Sequence, residues 1–360
     1  MKSKKYIAIF WAVLAALLFG IGSPVSKILL IKIPPTLMAA LLYLGAGLGM
    51  TFISFIKRAK SEEQREAKIT NKELPFVLGM IGLDIAAPIF LMLGLTMTTA
   101  ANASLLNNFE IVATSLIALF IFKESIGKRL WFAVALITLA SVILSLEDLS
   151  SFSFSLGSVF VLLASICWGF ENNCTRMLSV KNPMEVVIIK GFGSGFGSLF
   201  IAFLLKEHTN SISYIIVALV LGFFAYGLSI FFYVSAQREL GAARTSTYYA
   251  IAPFIGVGLS FLVFRETPTI SFVIALLIMI AGAYFASNEK HKHLHKHVAI
   301  THEHRHSHTD GHHNHMHDES ITGEHSHIHF HEELTHIHSH TPDVHHVHVH
   351  QALEKSLFQV

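Results

Sequence analysis

The chain is a succession of long apolar runs separated by short polar turns. Ten runs can be drawn, at roughly 6–30, 36–56, 75–97, 99–121, 130–146, 155–173, 184–205, 212–236, 242–263 and 269–287. A run of ~20 apolar residues spans a bilayer as a helix. In hydrocarbon the backbone must satisfy its own hydrogen bonds, so helices are the default. A β-barrel would need apolar and polar residues in strict alternation, and these runs do not alternate. The pattern predicts an all-α integral membrane protein. Tyr6 to Leu30 follows a short basic start, exceeds the apolar part of a signal peptide and lacks a small-residue cleavage site, so it reads as the first span.

The pattern occurs twice. Ala100-Ala101-Asn102-Ala103-Ser104, an apolar run and Phe122-Lys123-Glu124 reappear as Ala242-Ala243-Arg244-Thr245-Ser246, an apolar run and Phe264-Arg265-Glu266, at a shift of 142 (242 minus 100). Phe90 pairs with Phe232 and Ala140 with Gly282 at the same shift. Earlier in each half the shift is 149 (168 minus 19): Phe19-Gly20 through Ser26-Lys27 aligns with Trp168-Gly169 through Thr175-Arg176, and Pro34 with Pro183. A duplicated hydrophobic unit of this size is the raw material of inverted-repeat transporters. The expected division is residues 1–146 and 147–287 for the two repeats and 288–360 for a separate tail.

Charge orients the spans. With the amino terminus in the cytoplasm, inner loops carry Lys2, Lys4, Lys5, the cluster Lys57 to Lys72, Lys123, Lys128, Arg129, Arg176, Lys181, Arg238 and Arg244. Outer loops carry only Lys32, Lys206 and Arg265. That is a positive-inside pattern with both termini cytoplasmic in a multi-pass cell-membrane protein. Five spans per half is odd, so the second half is expected to be inverted.

Composition agrees: 52% of residues are hydrophobic, 14% are charged, and the mean hydropathy is +0.56. The net charge of +2 serves topology, and no nucleic-acid partner is expected. Cys167 and Cys174 lie on one helix face, too far apart along it for a disulfide.

Trp168-Gly169, Pro183, the Ala-rich start Ala242-Ala243, Pro253 and the closing Phe264-Arg265-Glu266 give the chain its likeness to a known family. Both halves, over about residues 6–287, resemble the EamA-type repeat of the drug/metabolite transporter superfamily. The resemblance implies a ten-helix secondary transporter with a central cavity, often exporting amino acids or other small metabolites. It also implies a basic residue early in the second helix of each repeat. Lys190 fills that place in the second half and Leu41 in the first, so the two sides of the cavity differ.

Ionisable residues within spans are costly, about 2.5–3.5 kcal/mol each at a helix centre on insertion scales, and are functional by default. Glu110, in Asn107-Asn108-Phe109-Glu110 half-way along the fourth span, is a candidate for carrying a coupling proton or meeting a cationic substrate group. Its alternative role is a structural pair with Lys190. Asp84 precedes Ala86-Ala87-Pro88, where Pro88 frees the carbonyl of residue 84, so a gate or a packing kink is expected there. Glu171, with Asn172 and Asn173, lines an inner vestibule or lies in the headgroup zone. Lys190 heads a glycine-rich face that promotes close helix contact, and needs either a buried partner or a substrate carboxylate. Tyr226, Tyr248 and Tyr249 are amphipathic rings placed to line a cavity or to pack. Lys27, Arg176, Lys123, Glu124, Arg265 and Glu266 read as anchors and interhelix pairs.

After Ser287 the composition changes. Of 24 histidines only His208 lies earlier. Alternation marks His291, His293, His295 and His297; His302, His304, His306 and His308; and His325, His327, His329 and His331. His312, His313, His315 and His317 lie between them. So little apolar surface predicts a tail disordered without a ligand. Alternate imidazoles on one side of an extended chain suit zinc, copper or nickel. Clusters, spacers and the non-histidine end Gln351 to Val360 separate this tail from an expression tag.

The whole reads as a proton-coupled exporter of a small, amino-acid-like metabolite with a metal-binding regulatory tail and no required cofactor. The alternative is a divalent-metal exporter (zinc, nickel or cobalt) fed by that tail. A metal store with a membrane anchor would not need ten spans. An enzyme is not expected, since the spans show no nucleophile–base pair.

Overall fold

The computed structural model describes residues 2–59, 69–121, 127–148, 153–178, 181–240, 245, 248–265 and 267–287, with the tail stretches 291–297, 300–306, 325–331 and 334–340. Helices follow the apolar runs: α1 (Lys2–Gly20), α2 (Gly22–Leu29), α3 (Pro35–Ala59), α4 (Leu74–Met97), α5 (Ala100–Leu106), α6 (Phe109–Phe120), α7 (Lys128–Ser145), α8 (Leu156–Leu178), α9 (Pro183–Leu204), α10 (Ile212–Gly222), α11 (Ser229–Leu240), α12 (Ala252–Phe264) and α13 (Ile270–Ser287). Their starts carry the expected signals. Prolines open α3 and α9. The Asn182 side chain accepts from the Met184 amide at 2.9 Å, and Thr99 accepts from the Asn102 amide at 3.1 Å.

Among the described residues, eight helical segments are long and apolar enough to cross a membrane: 6–29, 35–57, 71–97, 100–120, 128–145, 183–204, 212–236 and 270–287. α8 has the length, but its Glu171-Asn172-Asn173 run makes it more polar, and α12 is short. Three predicted spans carry local irregularities within helical backbone. The first has a turn at Ile21 between α1 and α2, and the fourth tightens at Asn107-Asn108, where the Glu110 and Ile111 amides reach back three residues to the Asn107 and Asn108 carbonyls. The eighth passes through a π-helical turn, Phe223–Leu228, between α10 and α11. The ninth, expected from residue 242, has α12 starting at Ala252 after a turn at Ala250-Ile251. A two-strand pair, Leu146–Asp148 with Ser153–Phe154, joins the halves.

The principal helix contacts cross between the halves: α4 with α8, α3 with α9, α1 with α11, α5 with α12 and α7 with α13. Small residues allow the closest of them. An added methyl at Gly191 would lie 2.5 Å from the Gly47 backbone nitrogen, and one at Gly195 would lie 2.8 Å from Leu44. The neighbouring glycines Gly193 and Gly197 face Ile81 and Ile85 of α4. Two glycine stripes thus let α9 wedge between α3 and α4, the packing role expected of that run.

In the tail, the backbone of His291–His297 pairs antiparallel with Leu334–His340, and that of Ile300–His306 with His325–His331. These stretches differ from the expected unstructured tail, because a period-2 sequence matches extended pairing. His308, His312, His313, His315 and His317 lie outside the described residues.

Replacing Gly191 by Ala should destabilise the protein by about 1–3 kcal/mol, because the contact is to backbone that cannot rotate away. Gly82→Ala, where a methyl meets nothing within 4 Å, should be neutral or stabilising. Thermal unfolding of the two variants in detergent checks the contrast.

Candidate functional site

Lys190 sits seven residues into α9, about 10 Å from its start at 1.5 Å per residue. Its Nζ lies 2.9 Å from Glu171 Oε1 on α8 and 3.0 Å from Asp84 Oδ2 on α4. All three are buried, with Asp84 fully so. The Tyr43 hydroxyl on α3 donates to Asp84 Oδ1 at 2.8 Å, and the Thr175 hydroxyl donates to Glu171 Oε1. Three helices from both halves meet at one ammonium, and a fourth, α3, joins through Tyr43. Asp84 is one turn before Pro88, which is buried inside a helix that runs on to Met97. Glu171 thus belongs to a buried ion pair with Lys190.

Glu110 belongs to a different group. The tightening at Asn107-Asn108 leaves it in the first turn of α6, with the Glu110 amide reaching back to the Asn107 carbonyl at 3.1 Å. Asn172 Nδ2 donates to Glu110 Oε1 at 2.6 Å and to Thr114 Oγ1 at 3.2 Å. Lys190 is not its ion-pair partner, contrary to the expected alternative: Lys190 is already enclosed by Asp84 and Glu171. Glu110 is half-buried, as are Asn172 and Thr114. Asn108 is buried and donates to the Leu105 carbonyl at 3.2 Å. Asn107 is buried, and its Oδ1 has no hydrogen-bond partner among the described residues.

Aromatic rings connect the two groups. Tyr43 packs on Tyr226 at 5.3 Å between centroids, Tyr226 on Phe19 at 6.1 Å, Phe19 on Tyr249 at 5.8 Å, and Tyr249 on Tyr233 at 4.9 Å. Tyr233 and Tyr249 lie within electrostatic range of Glu110. Tyr248 is half-buried, outside this row of ring contacts.

Tyr43, Phe19, Thr114, Thr175 and Tyr233 were not singled out from sequence. Tyr43 had a signal, since a phenol in an apolar span needs a partner for its hydroxyl. At the other end of α4, Lys27 Nζ donates to the Thr98 carbonyl at 2.9 Å and to the Leu95 carbonyl. It tethers helix ends, as expected, beside a crevice of about 430 Å³ that Asn102 also lines. Arg265 is exposed at the end of α12, and Lys123, Glu124 and Glu266 lie outside the described residues.

Removing the central cation should leave two buried carboxylates face to face. Lys190→Met is expected to cost about 3–5 kcal/mol. Lys190→Met with Asp84→Asn should cost less than Lys190→Met alone, because the second change removes one of the stranded charges. Unfolding midpoints of the single and double variants measure this coupling.

A sequence profile of the EamA-like transporter family matches residues 6–146 and again 155–288. The chain is 28% identical over 298 residues to an uncharacterized transporter of Methanothermobacter thermautotrophicus, covering 78% of this chain and 84% of that protein. It is 24% identical over 254 residues to the uncharacterized transporter YyaM of Bacillus subtilis, covering 68% and 81%. A crystal structure at 17% identity superposes with a TM-score of 0.56 over 78% of this chain and 95% of that one, a likeness of fold. Two successive matches that together take in nearly all of the apolar part identify the chain as a member of the EamA-like transporter family.

Proposed function

We propose that this chain is a secondary-active exporter of a small polar metabolite, driven by protons. Its ten spans form two inverted five-helix repeats with both termini in the cytoplasm. The observation that carries this reading is a pair of matching irregularities. The fourth span tightens at Asn107-Asn108 and the ninth has a turn at Ala250-Ile251, within one residue of the 142 shift. Interrupted helices at matching places in two halves are the usual frame of a carrier's binding site. Glu110 stands in the first turn after one irregularity, and Ala252 matches it after the other.

The packing supports the repeat. Exchanging the halves turns α1 with α11 into α8 with α4, and leaves α3 with α9, α7 with α13 and the fourth span with the ninth as they are. Single contacts obey the same exchange. Gly20 faces Ile255, and its counterpart Gly169 faces Ala113, the counterpart of Ile255. Such an assembly can rock between two related arrangements about a fixed centre.

Glu110 is the proposed coupling residue, since a half-buried carboxylate with one amide partner can bind and release a proton as access changes. In proteoliposomes, Glu110→Gln should abolish uptake or efflux driven by a proton gradient while leaving the unfolding midpoint near wild type. Gradient-driven flux at the wild-type rate in that variant would remove the residue from coupling.

The tail is proposed to bind divalent metal in the cytoplasm and regulate transport, which the alternating imidazoles support. Truncation after Ser287 should leave metabolite flux in metal-free buffer unchanged and abolish its response to zinc or nickel. Metal flux through full-length protein that disappears on truncation would instead favour a metal exporter fed by the tail.

A further inference from the structure

The arrangement of charge bears on what the substrate presents to the site. Three carboxylates, Asp84, Glu171 and Glu110, stand in the region with one ammonium, Lys190. Lys190 is itself buried and contacts two of the three. A substrate carboxylate brought to it would displace one of those partners and strand it in a dry interior, at a cost an incoming anion cannot offset. The expectation that Lys190 meets an anionic substrate group therefore loses its basis. The site has unused capacity for positive charge.

That capacity is localised. Asp84 and Glu171 are matched by Lys190, Tyr43 and Thr175. Glu110 has an amide donor on one oxygen and remains half-buried. Three residues earlier, Asn107 is 7% exposed, and its Oδ1 accepts nothing among the described residues. The Glu110 amide closes a three-residue turn on the Asn107 carbonyl at 3.1 Å, and residues three apart in such a turn share one face. Glu110 and Asn107 thus supply two acceptor oxygens on one turn of the fourth span. A buried acceptor left unfilled costs roughly 1–3 kcal/mol, so the group that fills it should be an N–H or O–H donor. The aromatic pair Tyr233 and Tyr249, within electrostatic range of Glu110, adds ring faces that attract cations.

We infer that the tight turn in the fourth span, bounded by Asn107, Glu110 and the Tyr233–Tyr249 pair, binds a protonated amine of the transported molecule. The ammonium donates to Glu110 and to Asn107 Oδ1, and the apolar part of the molecule rests against the tyrosines. This inference depends on the carrier function proposed above and specifies its substrate class as amines.

Two probes of matched shape and opposite charge test it: 2-phenylethylammonium and phenylacetate, titrated into the full-length protein in detergent by calorimetry. The ammonium should bind and the carboxylate should not. Glu110→Gln should weaken ammonium binding about tenfold or more, Glu110→Asp should retain part of it, and Asn107→Leu should weaken it without lowering the unfolding midpoint. Binding of phenylacetate in preference, or ammonium binding unchanged in both Glu110→Gln and Asn107→Leu, would overturn the assignment. Proteoliposome flux separates the two levels of the argument. Proton-driven flux of neutral solutes without any of 2-phenylethylammonium would sink the amine site and leave the carrier standing. Ammonium binding without gradient-driven flux of any solute would sink the proton-driven carrier and leave the amine site standing.

Discussion

One ammonium holds the centre of this protein together. Lys190 bridges Asp84 from the first half and Glu171 from the second, 3.0 and 2.9 Å away, with almost no exposure to solvent. Each charge alone would be too costly inside a membrane. Together they offset much of that cost, provided α4, α8 and α9 keep their approach. The glycine stripes of α9 make that approach possible by bringing it against α3 on one side and α4 on the other. Packing and electrostatics are thus a single constraint: without the glycines the charges could not meet, and without Lys190 the contact would bury two unpaired carboxylates.

The same constraint divides labour among the acids. Asp84 and Glu171 are committed to Lys190 and join the halves. Glu110 lies outside that cluster, at a tight helical turn, half-buried and held by one asparagine. The row of rings from Tyr43 through Tyr226, Phe19 and Tyr249 to Tyr233 is the packed connection between them.

Much of this was legible in the sequence, because bilayer thickness and backbone hydrogen bonding leave few choices. The apolar runs mark the helices, the doubled motifs mark the repeat, and Asp84, Glu110, Glu171 and Lys190 stand out because charge is rare there. Their partners were not legible. Which acid meets Lys190 depends on α9 lying between α3 and α4, a tertiary fact without a local signal. The irregularities at Asn107-Asn108 and Ala250-Ile251 sit in runs apolar enough to read as regular helices, and the π-helical turn at Phe223–Leu228 has no proline to announce it. The asparagine pair was noticed for its polarity, whereas its structural consequence is the tightened turn itself.

The central claim is that Glu110 faces a wet interior of the protein and not the acyl chains. It is tested most directly by placing a single thiol there, Glu110→Cys, in a background where Cys167 and Cys174 are replaced by Ala, and measuring its modification in sealed vesicles. The account predicts reaction with a membrane-impermeant maleimide added from one side, slowed by a bound amine. Reaction with a lipid-soluble maleimide alone, with the impermeant reagent inert from both sides, would contradict it.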